Sequence, residues 1–114
     1  MPRFSVCIPS YNNACYLDAC VKSVLSQDFR DIELIVINDG STDDTCMLLN
    51  RIASSDARVI AVNRADNRGL HRTRAEGVEL ATGDYTVFLD SDDEFLPGFL
   101  TKLDSALRAN PVDL

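Results

Sequence analysis

Apolar and polar positions along the chain alternate between two rhythms. Phe4 to Ile8 is a short, mainly apolar run closed by Pro9 and the turn formers Ser10, Asn12 and Asn13. Leu17, Cys20, Val21, Val24 and Leu25 then recur at the i, i+3, i+4, i+7, i+8 spacing of a helix with one buried face. Glu33 to Ile37 is β-branched and predicts a second strand. Ser41 and Asp44 fit a capping-box variant ahead of a helical stripe of Thr45, Leu48, Leu49 and Ile52. Val59 to Val62 reads as a third strand and Asn63 to Gly69 as a loop. A weaker helical pattern covers 70–81, with Gly83 as its stop. Tyr85 to Leu89 is the fourth strand, and Pro97 opens a helix whose inner stripe is Leu100, Leu103 and Leu107. Asn110 and Pro111 end that helix, and Val112-Asp113-Leu114 reads as the start of a further strand.

Short strands separated by helices imply right-handed βαβ crossovers. The expected fold class is therefore α/β: a Rossmann-like three-layer α/β/α sandwich with a mainly parallel sheet, ending after the fourth strand-helix unit. Ligands of such sheets collect beyond the carboxyl ends of the strands. Three polar segments fall there: Pro9-Ser10-Tyr11-Asn12, Asn38 to Asp44, and Asp90-Ser91-Asp92-Asp93-Glu94.

Composition narrows the class. A chain of 114 residues, 46% hydrophobic and 25% charged, has the make-up of one globular domain. No stretch approaches the roughly 20 apolar residues of a membrane span, and no signal peptide is read at the start. With 18 acidic and 11 basic side chains the net charge is −7, which disfavours nucleic acid as a partner. Asp39, Asp43, Asp44, Asp90, Asp92, Asp93 and Glu94 lie just past two strand ends, and the remaining acids balance the bases. Cys7, Cys15, Cys20 and Cys46 form no CxxC pair and read as small buried hydrophobes in a reducing compartment.

The chemistry at the strand ends is unequal. Four carboxylates within Asp90 to Glu94 repel one another unless solvated, protonated or bridged by a cation. They suit a hard divalent ion, and equally a solvated loop capping the next helix. The run is no EF-hand, because its sixth position is Phe95 and its twelfth Thr101. No Gly-rich phosphate loop is present in the chain. Ser41, Asp43 and Asp44 are explained by helix capping, whereas Asp39 is placed either to accept hydrogen bonds from a ligand or to form the turn. On the 70–81 helix, residues 70, 77, 78 and 81 define an inner face that includes Arg74. An inward arginine needs an anion, from the protein or a phosphate. Arg64, Arg68 and Arg72 are assigned to solvent, and His71 to the surface.

These residues together resemble the nucleotide-binding half of family 2 glycosyltransferases of the GT-A fold. The resemblance rests on Ser5-Val6-Cys7-Ile8-Pro9-Ser10-Tyr11-Asn12, Ser23 to Gln27, Ile37 to Asp43, Asn67-Arg68-Gly69-Leu70, Gly83-Asp84-Tyr85 and Phe88 to Asp93. It covers nearly the whole chain, from Phe4 to Leu114. It implies transfer of a sugar, with inversion, from a nucleotide diphosphate donor, usually a UDP-sugar, to a saccharide or lipid-linked acceptor in polysaccharide biosynthesis. The implied setting is cytoplasmic or at the cytoplasmic face of a membrane. By the same resemblance, Asp39 reads the pyrimidine and Pro9, Ser10, Tyr11 and Asn12 lie beside base and ribose. Arg74 lies near the nucleotide, and Asp90-Ser91-Asp92 occupies the DxD motif. Asp92 is then the ligand of Mn²⁺ or Mg²⁺, with Asp90 facing the ribose or the metal's water shell. Asn38 stands where many members have Asp, and residues 70–76 depart from the small residues, and the Asn after the arginine, usual there. Residues 1–114 would be the donor-binding part of the catalytic domain, without the acceptor-binding half or the general base. The alternatives are a non-catalytic nucleotide-binding module and a sugar-1-phosphate nucleotidyltransferase-like enzyme. The latter expects a Gly-rich basic loop where this chain has Pro9-Ser10-Tyr11-Asn12-Asn13. A receiver-like phosphorylation module expects an Asp after the third strand, where Asn63-Arg64 stands.

Overall fold

The computed structural model describes residues 2–110. Among them, four strands and four helices alternate: β1 (Phe4–Ser10), α1 (Ala14–Leu25), β2 (Ile32–Asp39), α2 (Thr45–Ser55), β3 (Val59–Arg64), α3 (Leu70–Leu80), β4 (Tyr85–Phe88) and α4 (Phe99–Ala109). The expected strand at 112–114 lies outside the described residues. The strands form one parallel sheet in the order β3-β2-β1-β4, with Phe4 opposite both Ile32 and Tyr85, and Leu34 opposite Val59.

Side-chain alternation along each strand sorts the core into two layers. Phe4, Val6, Ile8, Leu34, Val36 and Leu89 join Leu17, Val21 and Val24 of α1, Leu49 of α2 and Leu100 of α4 in the larger cluster. Cys7, Ile35 and Ile37 form the smaller one, with Val62 and Ala81 against it. The chain winds from β1 to β3 in one direction and then returns past β1 to β4. A right-handed crossover on that return puts α3 on the opposite face of the sheet. The sandwich is therefore three-layered but lopsided, with α3 alone on its side of the described sheet.

Three local expectations are corrected. The Ser41–Asp44 capping box does not form: Asp43 accepts the Thr45 N–H and hydroxyl, and also the Ala14 N–H at 3.1 Å. One carboxylate two residues ahead of α2 thus serves the starts of two helices. Helix α4 begins at Phe99 rather than Pro97, because Gly98 takes a left-handed conformation (φ 79°) just before it. Of the cysteines, only Cys7 and Cys20 are buried, while Cys15 and Cys46 are exposed; none of the four is in a disulfide.

The inner face of α3 is also rotated from the expected one. Its buried residues are Thr73 and Gly77, while Leu70 and Val78 are exposed. Hydrophobic spacing misplaces this face because a seam of small and polar residues lets the helix sit directly on the sheet. A Cβ on Gly77 would lie 2.2 Å from Cys7 Sγ but 3.4 Å from Cys7 Cβ. Gly77→Ala should therefore lose about 1–3 kcal/mol of stability by overpacking. In urea unfolding, the same change in a Cys7→Ala background should cost markedly less, because the clashing sulfur is gone.

Candidate functional site

At the carboxyl ends of β1, β2 and β4 the loops enclose a cleft of about 390 Å³. Its lining includes Pro9, Ser10, Tyr11, Asp39, Arg74, Asp90, Ser91 and Asp92. Of the residues singled out in the sequence, these eight come together, and Asn12 does not join them. The lining also contains Asn13, Asn67, Gly69, Leu70 and Thr73, which the sequence reading did not assign to the site. The position is set by topology: β2 and β4 flank β1, so the loops after them part in opposite directions.

Asp39 ends β2 on the face covered by α3 and is almost fully buried. Its Oδ1 accepts from Arg64 Nη1 at 3.0 Å and from the Arg68 N–H at 2.9 Å, and its Oδ2 accepts from the Gly69 N–H at 3.0 Å. Burial pushes this carboxyl up, but the two backbone donors and the Arg64 guanidinium outweigh it and hold Asp39 below its ordinary range. The turn after it needs glycine: Gly40 has φ 72°, and a Cβ there would lie 2.4 Å from the backbone of both Asp66 and Asn67. The loop after β3 can therefore press against Asp39 and donate to it.

The arginines exchange the places expected for them. Arg64 is the buried one, with 5% of its side chain exposed, bonded to Asp39, to Thr73 Oγ1 at 3.1 Å and to Glu76. Alternation along β3 puts Arg64 on the α3 face with Val62, a consequence hidden when the strand is ended at Val62. Arg74 is 45% exposed at the cleft, with Nη2 3.5 Å from Asp90 Oδ1. His71 is exposed, as expected.

Across the cleft, Asp93 N–H donates to Asp90 O at 3.0 Å and closes a turn. Carboxylate oxygens of Asp90, Asp92 and Asp93 lie within 4.8 Å of one another, all exposed. That oxygen-only donor set fits a hard divalent cation. Cys20 Sγ lies behind this turn, 3.4 Å from Asp90 O; burial first, and then the surrounding carboxylates, push its thiol up to about 12, so it is no nucleophile at neutral pH.

Several polar residues of the sequence motifs act as fasteners, Asn13 and Ser91 while also lining the cleft. Asn12, at φ 52°, donates its N–H to Ser41 Oγ, and its Oδ1 accepts from Thr42 N–H at 2.8 Å, tying the loops after β1 and β2. Asn13 Nδ2 donates to Ser91 Oγ at 2.7 Å, tying β1's loop to β4's. Ser23 Oγ accepts from Phe95 N–H, and Gln27 donates to Leu96 O and accepts from Leu100 N–H. Asn38 uses both ends of its amide, accepting from Ser41 N–H and donating to Asn63 Oδ1 at 2.9 Å. An Asp at that position would lose the second bond.

Comparison with known proteins agrees with this geometry. The family described as glycosyl transferase family 2 matches residues 5–114. An uncharacterized glycosyltransferase of Haemophilus influenzae is 45% identical over 82% of this chain and 37% of its own length. The GalNAc(5)-diNAcBac-PP-undecaprenol beta-1,3-glucosyltransferase of Campylobacter jejuni is 36% identical over 90% of this chain and 34% of its own. The chain thus spans about a third of the length of these relatives. Among solved structures, the mannosyltransferase PcManGT of Pyrobaculum calidifontis, in complex with GDP-Man and Mn²⁺, superposes with a TM-score of 0.87 at 26% identity, over 96% of this chain and 33% of its own. TarS 1-349 of Staphylococcus aureus in complex with UDP-GlcNAc gives 0.86 at 26% identity, over 94% and 31%. The fold is that of the GT-A glycosyltransferases, and the chain belongs to glycosyl transferase family 2.

Proposed function

We propose that this chain binds the nucleotide diphosphate sugar, a UDP-sugar, of a metal-assisted inverting glycosyltransferase. The observation that carries the reading is the single cleft in which a buried, ionised Asp39 stands on one side and a cation-competent acidic turn on the other. One relative is a glucosyltransferase, and two structural neighbours are complexes with UDP-GlcNAc and with GDP-Man, which supports a nucleotide-sugar donor. Asp39 supports uracil as the base. A carboxylate offers about four acceptor positions. Three are taken by Arg64, Arg68 and Gly69, which leaves one on Oδ2. One acceptor suits the single ring N–H of uracil, whereas guanine presents two donor groups side by side and would leave one unsatisfied.

On this reading the Pro9-Ser10-Tyr11 turn lies along the base and ribose, with the half-exposed Tyr11 ring as an apolar wall. Asn12 acts from outside the cleft by fixing that turn. Arg74 faces the diphosphate and, in its absence, pairs with Asp90. Asp92 and Asp90 hold Mn²⁺ or Mg²⁺, with Asp93 a further carboxylate in reach, and the ion when bound takes up charge that gathers on the leaving diphosphate. Without a cation, these acids would repel the same diphosphate. Binding of the acceptor and removal of its proton are assigned to the whole enzyme, and no residue of this cleft is given that role. A saccharide or lipid-linked acceptor at the cytoplasmic face of a membrane is compatible with the chain, and among the described residues no helix is long and apolar enough to cross one.

Calorimetric titration tests the reading. UDP should bind in the presence of Mn²⁺ and bind more weakly without it, and GDP should bind at least about tenfold more weakly than UDP. A folded chain that binds no UDP under either condition refutes the donor site. Asp39→Asn keeps the shape but turns part of the acceptor into a donor, and should weaken UDP by about tenfold or more, with the Mn²⁺ response retained. Asp92→Ala should do the reverse, removing the Mn²⁺ response while leaving metal-free UDP affinity near that of the unaltered chain.

A further inference from the structure

The buried arginine beneath the cleft enters the function proposed above only as an occupant of one Asp39 acceptor position, and the rest of its placement is the strongest unexplained feature of the molecule. Arg64 ends β3 with only 5% of its side chain exposed, yet it is not among the residues lining the cleft. Burying a guanidinium is costly unless its charge and donors are met. Here Nη1 reaches Asp39 Oδ1 and Thr73 Oγ1 and Nη2 reaches Glu76, which meets the charge, while the buried Nε has no partner among the described residues. Arg64 therefore joins the end of β2 to two successive turns of α3. Thr73 in turn donates to Gly69 O at 2.8 Å, which anchors the residue whose N–H bonds Asp39 Oδ2.

We infer that Arg64 is a positioning residue for nucleotide binding: it aims the Asp39 carboxylate so that one acceptor position faces the cleft, and it pins α3 so that Arg74 stands opposite Asp90. The inference rests on the donor-site reading. Three features of the geometry support it. First, both Asp39 oxygens are held from one side by Arg64 and the 68–69 backbone, so the carboxylate is fixed in rotation as well as in charge. Second, Thr73 and Glu76 flank Arg74 on the same helix, so the guanidinium below secures the stretch that carries the cleft arginine. Third, the fork matters more than the charge, since a lysine ammonium cannot span Asp39, Thr73 and Glu76 with two planar nitrogens.

The charged residues tied to Asp39, directly or through Arg64, or lining its cleft are Arg64 of β3, Arg68 of the following loop, Glu76 and Arg74 of α3, and Asp90 and Asp92 beyond β4. Arg64 is the only one of the three arginines whose side chain bonds Asp39 among the described residues. The sign of the pH effect follows. A carboxyl held below its ordinary range stays ionised, and able to accept, until pH falls through that lowered value. Without Arg64, burial remains and its main side-chain counterweight is lost, so Asp39 takes up its proton at higher pH.

The test uses the 114-residue chain, Arg64→Met, which keeps the apolar stem, and Arg64→Lys, which keeps the charge. Carboxyl carbon NMR follows the titration of Asp39, calorimetry follows UDP binding with Mn²⁺ from pH 4 to 8, and circular dichroism confirms the fold. In Arg64→Met the Asp39 titration should move to higher pH, UDP affinity near neutral pH should fall at least about tenfold, and the acid limb of binding should move up with it. Arg64→Lys should restore the acid limb more fully than the affinity. If Arg64→Met does not fold, Arg64→Lys decides, because a positioning role still requires lower affinity there. A folded variant that binds UDP as tightly as the unaltered chain, with the same acid limb, overturns the inference. If the Asp39 titration responds to Arg64 but the unaltered chain binds no UDP, the donor-site reading fails and Arg64 is reduced to a structural clamp.

Discussion

Everything at the cleft depends on β1 being shared. All seven of its residues are buried, and it pairs in parallel with β2 on one side and β4 on the other. Because both neighbours run in the same direction as β1, the three chain segments leave the sheet at one edge. Because β2 leads on to β3 while β4 lies beyond β1, those segments separate and leave a crevice. The right-handed crossover that brings the chain back to β4 also places α3 as a lid over β1 and β2. One reversal of strand order thus supplies the opening, its floor and its wall.

A crevice between loops keeps its shape only if the loops are braced, and here the bracing is polar. Asn12 to Ser41 and Thr42, Asp43 to Ala14 and Thr45, and Asn13 to Ser91 link neighbouring strand ends through side chains. Ser23 and Gln27 do the same for the segment that follows the acidic turn, fastening it to α1. This separates acids that look alike in the sequence. Asp43 is committed to two helix starts and Asp39 to Arg64 and the 68–69 backbone, which leaves the exposed negative charge at the cleft on Asp90 and Asp92, with Asp93 beside them.

How much of this is legible in the sequence depends on what kind of residue carries it. The parallel α/β order and the larger core follow from Val, Ile and Leu at clear spacings, and α1 buries the residues its periodicity selects. The convergence of Pro9, Asp39 and Asp90 follows from the strand order alone. The arginines were not legible by the same means. Residues 70–81 hold too few apolar side chains to define a face, and the true seam through Thr73 and Gly77 is small and polar. Extending β3 by two residues would have placed Arg64 on the α3 side by alternation, but Asn63 and Arg64 read as loop when hydrophobicity marks the strand's end. Asn67 and Gly69 contribute to the cleft through a loop packed on Gly40, an arrangement visible only once the backbone positions are known.

On the proposed donor-site reading, two carboxylate environments divide the work of recognition. Asp39 is dry, ionised and nearly saturated with donors, so it offers a ligand little besides direction: one acceptor position at a fixed place. That is a device for choosing among bases, which differ in where their N–H groups lie, and a poor device for holding a cation. Asp90, Asp92 and Asp93 are wet and crowded, with several free oxygens and one half-exposed arginine paired to Asp90, so they offer charge with little directional constraint. That suits an ion which keeps part of its water and shares phosphate oxygens. Exchanging the two environments would defeat both tasks, since a cation at Asp39 would compete with a guanidinium already bonded there, and a base at the acidic turn would meet acceptors with no fixed orientation. The chain buries Arg64 at the first and leaves the second to solvent, and on the proposed reading that difference in burial suits one carboxylate to select a base and the other three to gather a cation.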